Sequence, residues 1–298
     1  MVGDRPLVSV GIPTYNRLDK LQLAVASVLA QDYPAVELVV SDNASTDGTA
    51  EWLGELVRTN PGVVVHTNAT NVGPTANFNQ VRSASTGPFL LWLGDDDVLD
   101  PSYVSACVAA LEANPDAVLA AGEVRYDEGQ VELRAGVRVT CLEASGSDRV
   151  RSYYRQVKDN GTFYGVTRRS AAERIPPMAN RMGNDWYLMA GLAYQGHFLA
   201  VDGTSVVRSV GGATRSLRHV ARSADLSWIE AEVPQLAIAW LALRDIGWGS
   251  DTYDTLGSVA RLRLGLSAAR VIVVRFVIPS IPKYLRLQWD RVRRTPPS

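Results

Sequence analysis

Three adjacent carboxylates, Asp95-Asp96-Asp97, directly follow an apolar run, Phe89-Leu-Leu-Trp-Leu93. Charges this close repel, and a divalent cation relieves the cost. Hard carboxylate oxygens select Mg²⁺ or Mn²⁺ over softer metals, and such sites leave positions for water and substrate phosphates. The plainer alternative is a solvated acidic turn before the helix that Pro101 opens. Three more polar clusters of the same kind weigh against it. Pro13-Thr14-Tyr15-Asn16-Arg17 follows one apolar run. Asp42-Asn43-Ala-Ser-Thr-Asp-Gly48 follows a second, and Asn68 to Asn79, with Asn71, Gly73 and Asn77, follows a third. Each alone reads as a connection or a helix cap. Ser45 or Thr46 is expected to cap the next helix. Asp42 stands immediately after its apolar run, where a carboxylate can accept from a base-edge imide N–H. The carbonyls of residues 13–17 and the Tyr15 ring would face the same nucleobase.

The elements that must position these residues are legible from periodicity. Leu7–Ile12, Val36–Ser41, Val63–His66 and Phe89–Leu93 read as buried strands. Between them, Asp19–Leu29, Thr46–Val57 and Asn77–Ala84 carry helical apolar spacing. Alternation of this kind predicts an α/β fold, with a mostly parallel sheet flanked by helices. Ligands on such sheets bind outside the carboxyl ends of the strands, so all four polar clusters should meet on one rim. Further on, the sequence predicts a helix over Pro101–Ala113 and a strand over Val118–Val124. Helices are predicted over 151–157, 186–193 and 226–244, with short strands at 198–201 and 206–207.

The chain has 298 residues, 46% apolar and 20% charged, which excludes disorder as the main state. A formal net charge of −1 excludes a general nucleic-acid binder. Cys107 and Cys141 fit neither a zinc spacing nor a disulfide framework and suit a reducing compartment. The opening Met1-Val-Gly-Asp-Arg-Pro lacks the layout of a signal peptide. Charge is unevenly spread. From Leu256 to Ser298 there are nine basic residues and one acid, Asp290, so this basic, apolar tail is expected to meet an anionic surface. Its apolar stretch, Val271–Ile281, is too short to span a bilayer.

Four motifs in order make the pattern recognisable. Val8-Ser-Val-Gly-Ile-Pro-Thr-Tyr-Asn-Arg17, Glu37-Leu-Val-Val-Ser-Asp-Asn-Ala-Ser-Thr-Asp-Gly-Thr49, Asn71-Val-Gly-Pro-Thr-Ala-Asn77 and Gly94-Asp-Asp-Asp-Val-Leu-Asp-Pro101 together resemble the family 2 glycosyltransferases. The resemblance is close over residues 6 to 125 and weaker to 220. It implies a GT-A fold over residues 1–220, with a nucleotide-sugar half (1–125) and an acceptor half (126–220), followed by a helical, basic region (221–298). It implies inverting transfer from a UDP-, dTDP- or GDP-linked donor to a glycan or lipid-linked hydroxyl, with Mg²⁺ or Mn²⁺ on the diphosphate.

By the same resemblance, Asp42 contacts the base, and Pro13, Thr14 and Arg17 line the nucleotide pocket. The triplet becomes the family's DxD element, for which two registers fit. In one, Asp95 faces the ribose and Asp96 the metal; in the other, Asp97 is the ligand. Asp185, in Gly183-Asn184-Asp185-Trp186, falls where the family carries its general base, with Asn184 in place of the usual Glu. The plainer role for Asp185 is a helix cap. Gly211-Gly-Ala-Thr-Arg-Ser-Leu-Arg-His219 suits a loop over phosphates, through Arg215 and Arg218, with His219 a further metal ligand; it reads equally as a basic surface loop. Trp186 and Tyr164 are the candidate acceptor contacts within an aromatic cluster that also serves as core.

This reading expects a cytoplasmic enzyme, peripheral on the inner face of the membrane. For residues 256–278, an amphipathic helix with arginines on one face competes with a helix that closes the domain. A non-catalytic nucleotide-sugar or glycan binder is the rival from another class, and a metal-dependent phosphohydrolase is a third. Fold alone licenses none of them.

Overall fold

The computed structural model describes residues 5–127, 133–209, 221–222 and 224–280. The first half alternates as its apolar spacing requires. Strands β1 (Val8–Thr14), β2 (Val36–Asp42), β3 (Val63–Thr67) and β4 (Phe89–Trp92) are joined by helices α1 (Leu18–Leu29), α2 (Thr49–Thr59) and α3 (Pro74–Ala84). The four strands are parallel, in the order β3-β2-β1-β4. β1 and β4 are buried along their whole length, which is why they read as continuous apolar runs. Helix α3 lies so close to β1 that a Cβ on Gly11 would fall 1.8 Å from a methyl of Val81.

The second half makes the sheet mixed. β5 (Asp97–Leu99) and α4 (Tyr103–Ala113) lead into β6 (Ala117–Asp127) and β7 (Arg134–Ala135). α5 (Gly146–Gln156) is followed by β8 (Val166–Arg168), α6 (Arg169–Glu173), α7 (Asn184–Gln195) and β9 (His197–Ser209). Beyond β4 the order is β8-β6-β9-β5: β8 is antiparallel to β4 and β6, β9 parallel to β6, and β5 antiparallel to β9. The two short strands read at 198–201 and 206–207 are one 13-residue strand, β9. Its pairing with β6 shifts register between Ala121 and Glu123, and Gly203 has φ +78°. That irregularity hides the strand's length from a period-2 reading.

Two further expectations are corrected. Neither Ser45 nor Thr46 caps α2. Gly48 holds the cap position, and the Asp47 carboxylate accepts from Thr49 N–H at 3.2 Å and Thr49 Oγ1 at 2.6 Å. The helix read over 226–244 is two, α8 (Trp228–Glu232) and α9 (Pro234–Arg244), because Pro234 has no N–H to continue the ladder. Ser227 and Glu230 close a capping box on α8.

The last helix, α10 (Ser258–Ile272), buries Leu264, Gly265, Ala268 and Ile272. A Cβ on Gly265 would lie 2.8 Å from the Leu243 carbonyl oxygen, so α9 and α10 cross closely. The arginines expected on one face are divided. Arg261 turns inward to the carbonyls of Ile246 and Ser250, and Arg275 to those of Tyr154 and Val157, whereas Arg263 and Arg270 are exposed. Among the described residues, no helix is long and apolar enough to cross a membrane.

Candidate functional site

The strand-end clusters meet, as the carboxyl-end rule requires. Asn43 N–H donates to the Thr14 carbonyl at 3.0 Å. Asn77 Nδ2 donates to the carbonyls of Ser41 (2.9 Å) and Thr14 (3.3 Å), tying α3 to β1 and β2. Asn43 donates to Asn71 Oδ1 at 2.8 Å and accepts from Val72 N–H at 2.9 Å. Asn43 and Asn77 are buried, and their amides hold the rim's backbone, while Asn71 is exposed at its edge.

Loops 13–17 and 42–48 are fastened to each other. Asn16 accepts from Thr46 N–H at 2.7 Å, its own N–H donates to Ser45 Oγ at 2.9 Å, and Leu18 N–H donates to Asp47 at 3.0 Å. Left-handed backbone at Asn16 (φ 51°) and Ala44 (φ 62°) makes both tight turns. Asp42 is buried at the end of β2 and accepts from Ser45 N–H at 3.2 Å, leaving most of its acceptor capacity unused. Pro13 and Thr14 are buried beside it; Tyr15 is exposed.

The three carboxylates part company. Asp95 is buried and accepts from Thr14 Oγ1 at 2.9 Å. Arg17 Nη1 bridges Asp95 (3.1 Å) and Asp96 (3.0 Å), and Lys20 Nζ stands 3.9 Å from Asp96. Burial raises the Asp95 pKa, against the pull of Arg17 and with the push of Asp96. Asp97 turns the other way. It pairs with Arg208 of β9 at 3.6 Å and accepts from Ser209 N–H at 3.3 Å. Burial pushes its pKa up to about 6, with Arg208 opposing. Gly94 makes the turn: a Cβ there would meet Asp97 Oδ2 at 2.6 Å. Asp95 and Asp96 present hard oxygens that share one cationic group, Arg17, whereas the Asp97 carboxylate faces inward to Arg208. Among the described residues, no three His, Cys, Asp or Glu side chains are grouped so as to hold a metal ion.

Asp185 lies in the first turn of α7, and Gly183, not Asp185, is the cap residue. Asn160 Nδ2 donates to Asp185 Oδ2 at 2.7 Å, and Tyr153 Oη donates to Asn160 Oδ1 at 2.9 Å. Burial raises the Asp185 pKa; the Asn160 hydrogen bond, the N–H groups of Trp186 and Asp185, and the Arg208 charge oppose it. Asn184 points elsewhere, donating to Thr75 Oγ1 of α3 at 3.0 Å. Trp186 packs between Tyr154 and Phe276, with centroids 6.5 and 5.4 Å away. Tyr164 is buried beneath the Arg208 guanidinium, and its hydroxyl accepts from Arg208 at 3.0 Å; it supports Arg208 rather than offering an open ring.

Arg208 is the residue that sequence reasoning missed. It pairs with Asp97, and its charge is the smallest of the influences that oppose the burial-driven rise of the Asp185 pKa. Only the pairing of β9 with β5, which sets Arg208 opposite Asp97, reveals it. Arg215, Arg218 and His219 lie outside the described residues.

A family model, glycosyl transferase family 2, matches residues 9–176, from β1 to just past α6. An uncharacterised protein of Mycobacterium tuberculosis is 30% identical over 207 residues, which is 65% of this chain and 56% of that protein. The chain thus spans about half the length of that relative. A Campylobacter jejuni GalNAc(5)-diNAcBac-PP-undecaprenol β-1,3-glucosyltransferase is 34% identical over 95 residues, 32% of this chain and 31% of that one. Among solved structures, a mannosyltransferase of Pyrobaculum calidifontis in complex with GDP-Man and Mn²⁺ superposes with a TM-score of 0.55 at 16% identity, covering 98% of this chain and 81% of that one. That likeness bears on the fold, which is GT-A. The matched span contains all four strand-end clusters, the acidic turn among them, and the chain belongs to glycosyl transferase family 2.

Proposed function

We propose that the chain is an inverting glycosyltransferase, with Asp185 as general base and a nucleoside diphosphate sugar as donor. The observation that carries this reading is the strand-end rim that gathers Asp42, Asp95 and Asp96 around Thr14 and Arg17, together with a carboxylate at the head of α7, Asp185, held by the Asn160 amide. An acidic turn at the strand ends receives the donor's diphosphate, and a buried-edge carboxylate receives the acceptor's proton. Residues 1–125 take the donor: Asp42 accepts from the base, Pro13, Thr14, Tyr15 and Arg17 line the nucleotide, and Asp95 meets the ribose. Residues 126–220 take the acceptor, with Trp186 beside the base. Residues 221–298 form a further region, helical over most of its described residues 224–280 and basic in sequence from Leu256 onward.

Bond making follows from these placements. Asp185 takes the proton of the acceptor hydroxyl as its oxygen attacks the anomeric carbon. The bond from that carbon to the diphosphate oxygen breaks, and the nucleoside diphosphate leaves from the opposite face, which inverts the centre. A positioned base of this kind contributes roughly 10²- to 10⁴-fold. Mg²⁺ or Mn²⁺, held at Asp96 with Asp95 beside it, would supply Lewis-acid stabilisation to the leaving diphosphate. The solved neighbour's Mn²⁺ and GDP-Man are consistent with this assignment, and the undecaprenol-linked relative with a glycan or lipid-linked acceptor.

A thermal-shift panel tests the donor pocket. One of UDP, dTDP and GDP should raise the melting temperature with Mn²⁺ or Mg²⁺ and lose that effect in EDTA. At about 100 times its Kd a ligand adds about 2.7 kcal/mol, which such a panel resolves. Metal-independent stabilisation, or none with any nucleotide, counts against the reading.

A further inference from the structure

The outer side of the α9–α10 pair carries large apolar side chains that, among the described residues, stand exposed. Trp240 and Trp248 are each 56% exposed and touch edge to face, 6.0 Å between centroids. Leu236 precedes Trp240 by one turn, and Leu262 lies 4.0 Å from where a Cβ on Gly247 would stand. Leu262 and Leu266 continue the patch along α10, both exposed. Its border is basic. Arg263 and Arg270 are exposed on the same stripe of α10 as Leu266, and Arg244, half-buried at the end of α9, pairs with Asp245 at 3.3 Å. Asp245 is buried between Arg181 and Arg244, and Asp254 pairs with Arg261.

We propose that this face docks on an anionic lipid bilayer. Tryptophan rings and leucines enter the headgroup boundary, and the bordering arginines meet anionic headgroups. A protein surface would not require the basic border, and a second copy would set Arg263 and Arg270 against their own like charges. The inner side of α9 packs on the acceptor half, with Ile238 against Gly183, and Phe276, just beyond α10, lies on Trp186. Docking therefore places the bilayer about one helix diameter, roughly 10 Å, from the acceptor side. The inference rests on the lipid-linked acceptor only for its purpose, and its test needs neither donor nor acceptor.

The full chain is sedimented with vesicles of phosphatidylcholine, and of phosphatidylcholine with phosphatidylglycerol. Wild type should bind the anionic vesicles, with Trp240→Ser/Trp248→Ser weakening binding about tenfold or more and Arg263→Glu/Arg270→Glu removing the preference for anionic lipid. The nucleotide thermal shift should be unchanged in both variants, since neither pair touches the site; this separates misfolding from lost docking. No binding by wild type overturns the proposal, as does equal binding by the variants. A dimer that the tryptophan variant splits, with vesicle binding intact, assigns the face to a second copy and overturns it too.

A different observation carries a second inference, which rests on Asp185 being the base. Asn160 holds left-handed backbone, φ 50° and ψ 30°, at the head of a buried turn, and the Tyr153 hydroxyl fixes its amide so that Nδ2 faces Asp185. We infer that Asn160 is a positioning residue that keeps the Asp185 carboxylate ionised and aimed at the acceptor. Tyr153 and Tyr154 of α5 and Arg208 of β9 are the titratable and charged groups felt around Asp185. Asn160 donates to the charged form, so its loss raises the Asp185 pKa, and activity, which needs the carboxylate, is lost at higher pH.

Asn160→Gly tolerates the left-handed backbone and removes the amide. The acid limb of its kcat/KM profile should move up by about one pH unit, with activity recovering in alkali, and Tyr153→Phe should move it less in the same direction. An unmoved limb in Asn160→Gly overturns the inference while the base reading stands. Full activity in Asp185→Asn overturns the base reading and this inference with it.

Discussion

Replacing Asp185 by Asn lowers turnover by about 10²- to 10⁴-fold and leaves nucleoside diphosphate affinity unchanged. The substitution keeps shape and keeps an oxygen for the Asn160 amide to donate to. It removes only the capacity to take a proton. Because that proton comes from the acceptor, donor binding at the other end of the site should not respond. The check is kcat against acceptor concentration, beside a nucleotide titration of the same variant. Donor hydrolysis by water, if wild type shows it, should fall far less than transfer. A non-catalytic binder would show no turnover to lose, and a phosphohydrolase would show turnover indifferent to acceptor.

The second large effect separates the two carboxylates that the sequence leaves in competition. Asp96 is partly exposed and shares Arg17 with Asp95, whereas Asp97 is buried and paired with Arg208. Asp96→Asn should cost about 10²-fold or more in kcat/KM, since each 1.36 kcal/mol of lost charge stabilisation is tenfold, and should weaken Mn²⁺-dependent nucleotide binding. Its melting temperature should stay near wild type, because the side chain is not part of the core. Asp97→Ala should do the reverse. It leaves Arg208 buried without its carboxylate, which costs about 3–5 kcal/mol of stability. Thermal unfolding and Mn²⁺ titration of the two variants decide the matter. Metal affinity lost through Asp97 with stability intact would reverse the assignment.

The sequence is most legible where one physical rule decides. The parallel half of the sheet follows from apolar runs broken by helical spacing, and the rim follows from where those runs end. Asp95 and Asp96 sit where both arguments meet. Legibility fails where partners are distant in sequence. Asp97 looks no different from its neighbours until β5 is paired with β9, and Arg208 reads as an ordinary basic residue at a strand end. Asn160 sits in Lys158-Asp159-Asn160-Gly161, which reads as a turn; its amide matters because α7 brings Asp185 to it. Pro234, by contrast, was a visible helix break inside an apolar periodicity strong enough to mask it. The Asp47 contact with the first residue of α2 is also within reach of the sequence, since an Asp two residues before a Thr-led helix can accept from its N–H and hydroxyl.

The proposed reaction is transfer of a sugar, with inversion, at a single site. Its most direct measurement is NMR of the transfer reaction, with a nucleotide sugar of known anomeric configuration and a lipid-linked glycan acceptor. The account predicts a glycosidic product of the opposite configuration, formed by wild type and absent with Asp185→Asn. A product with retained configuration, or one formed equally well without Asp185, would contradict it.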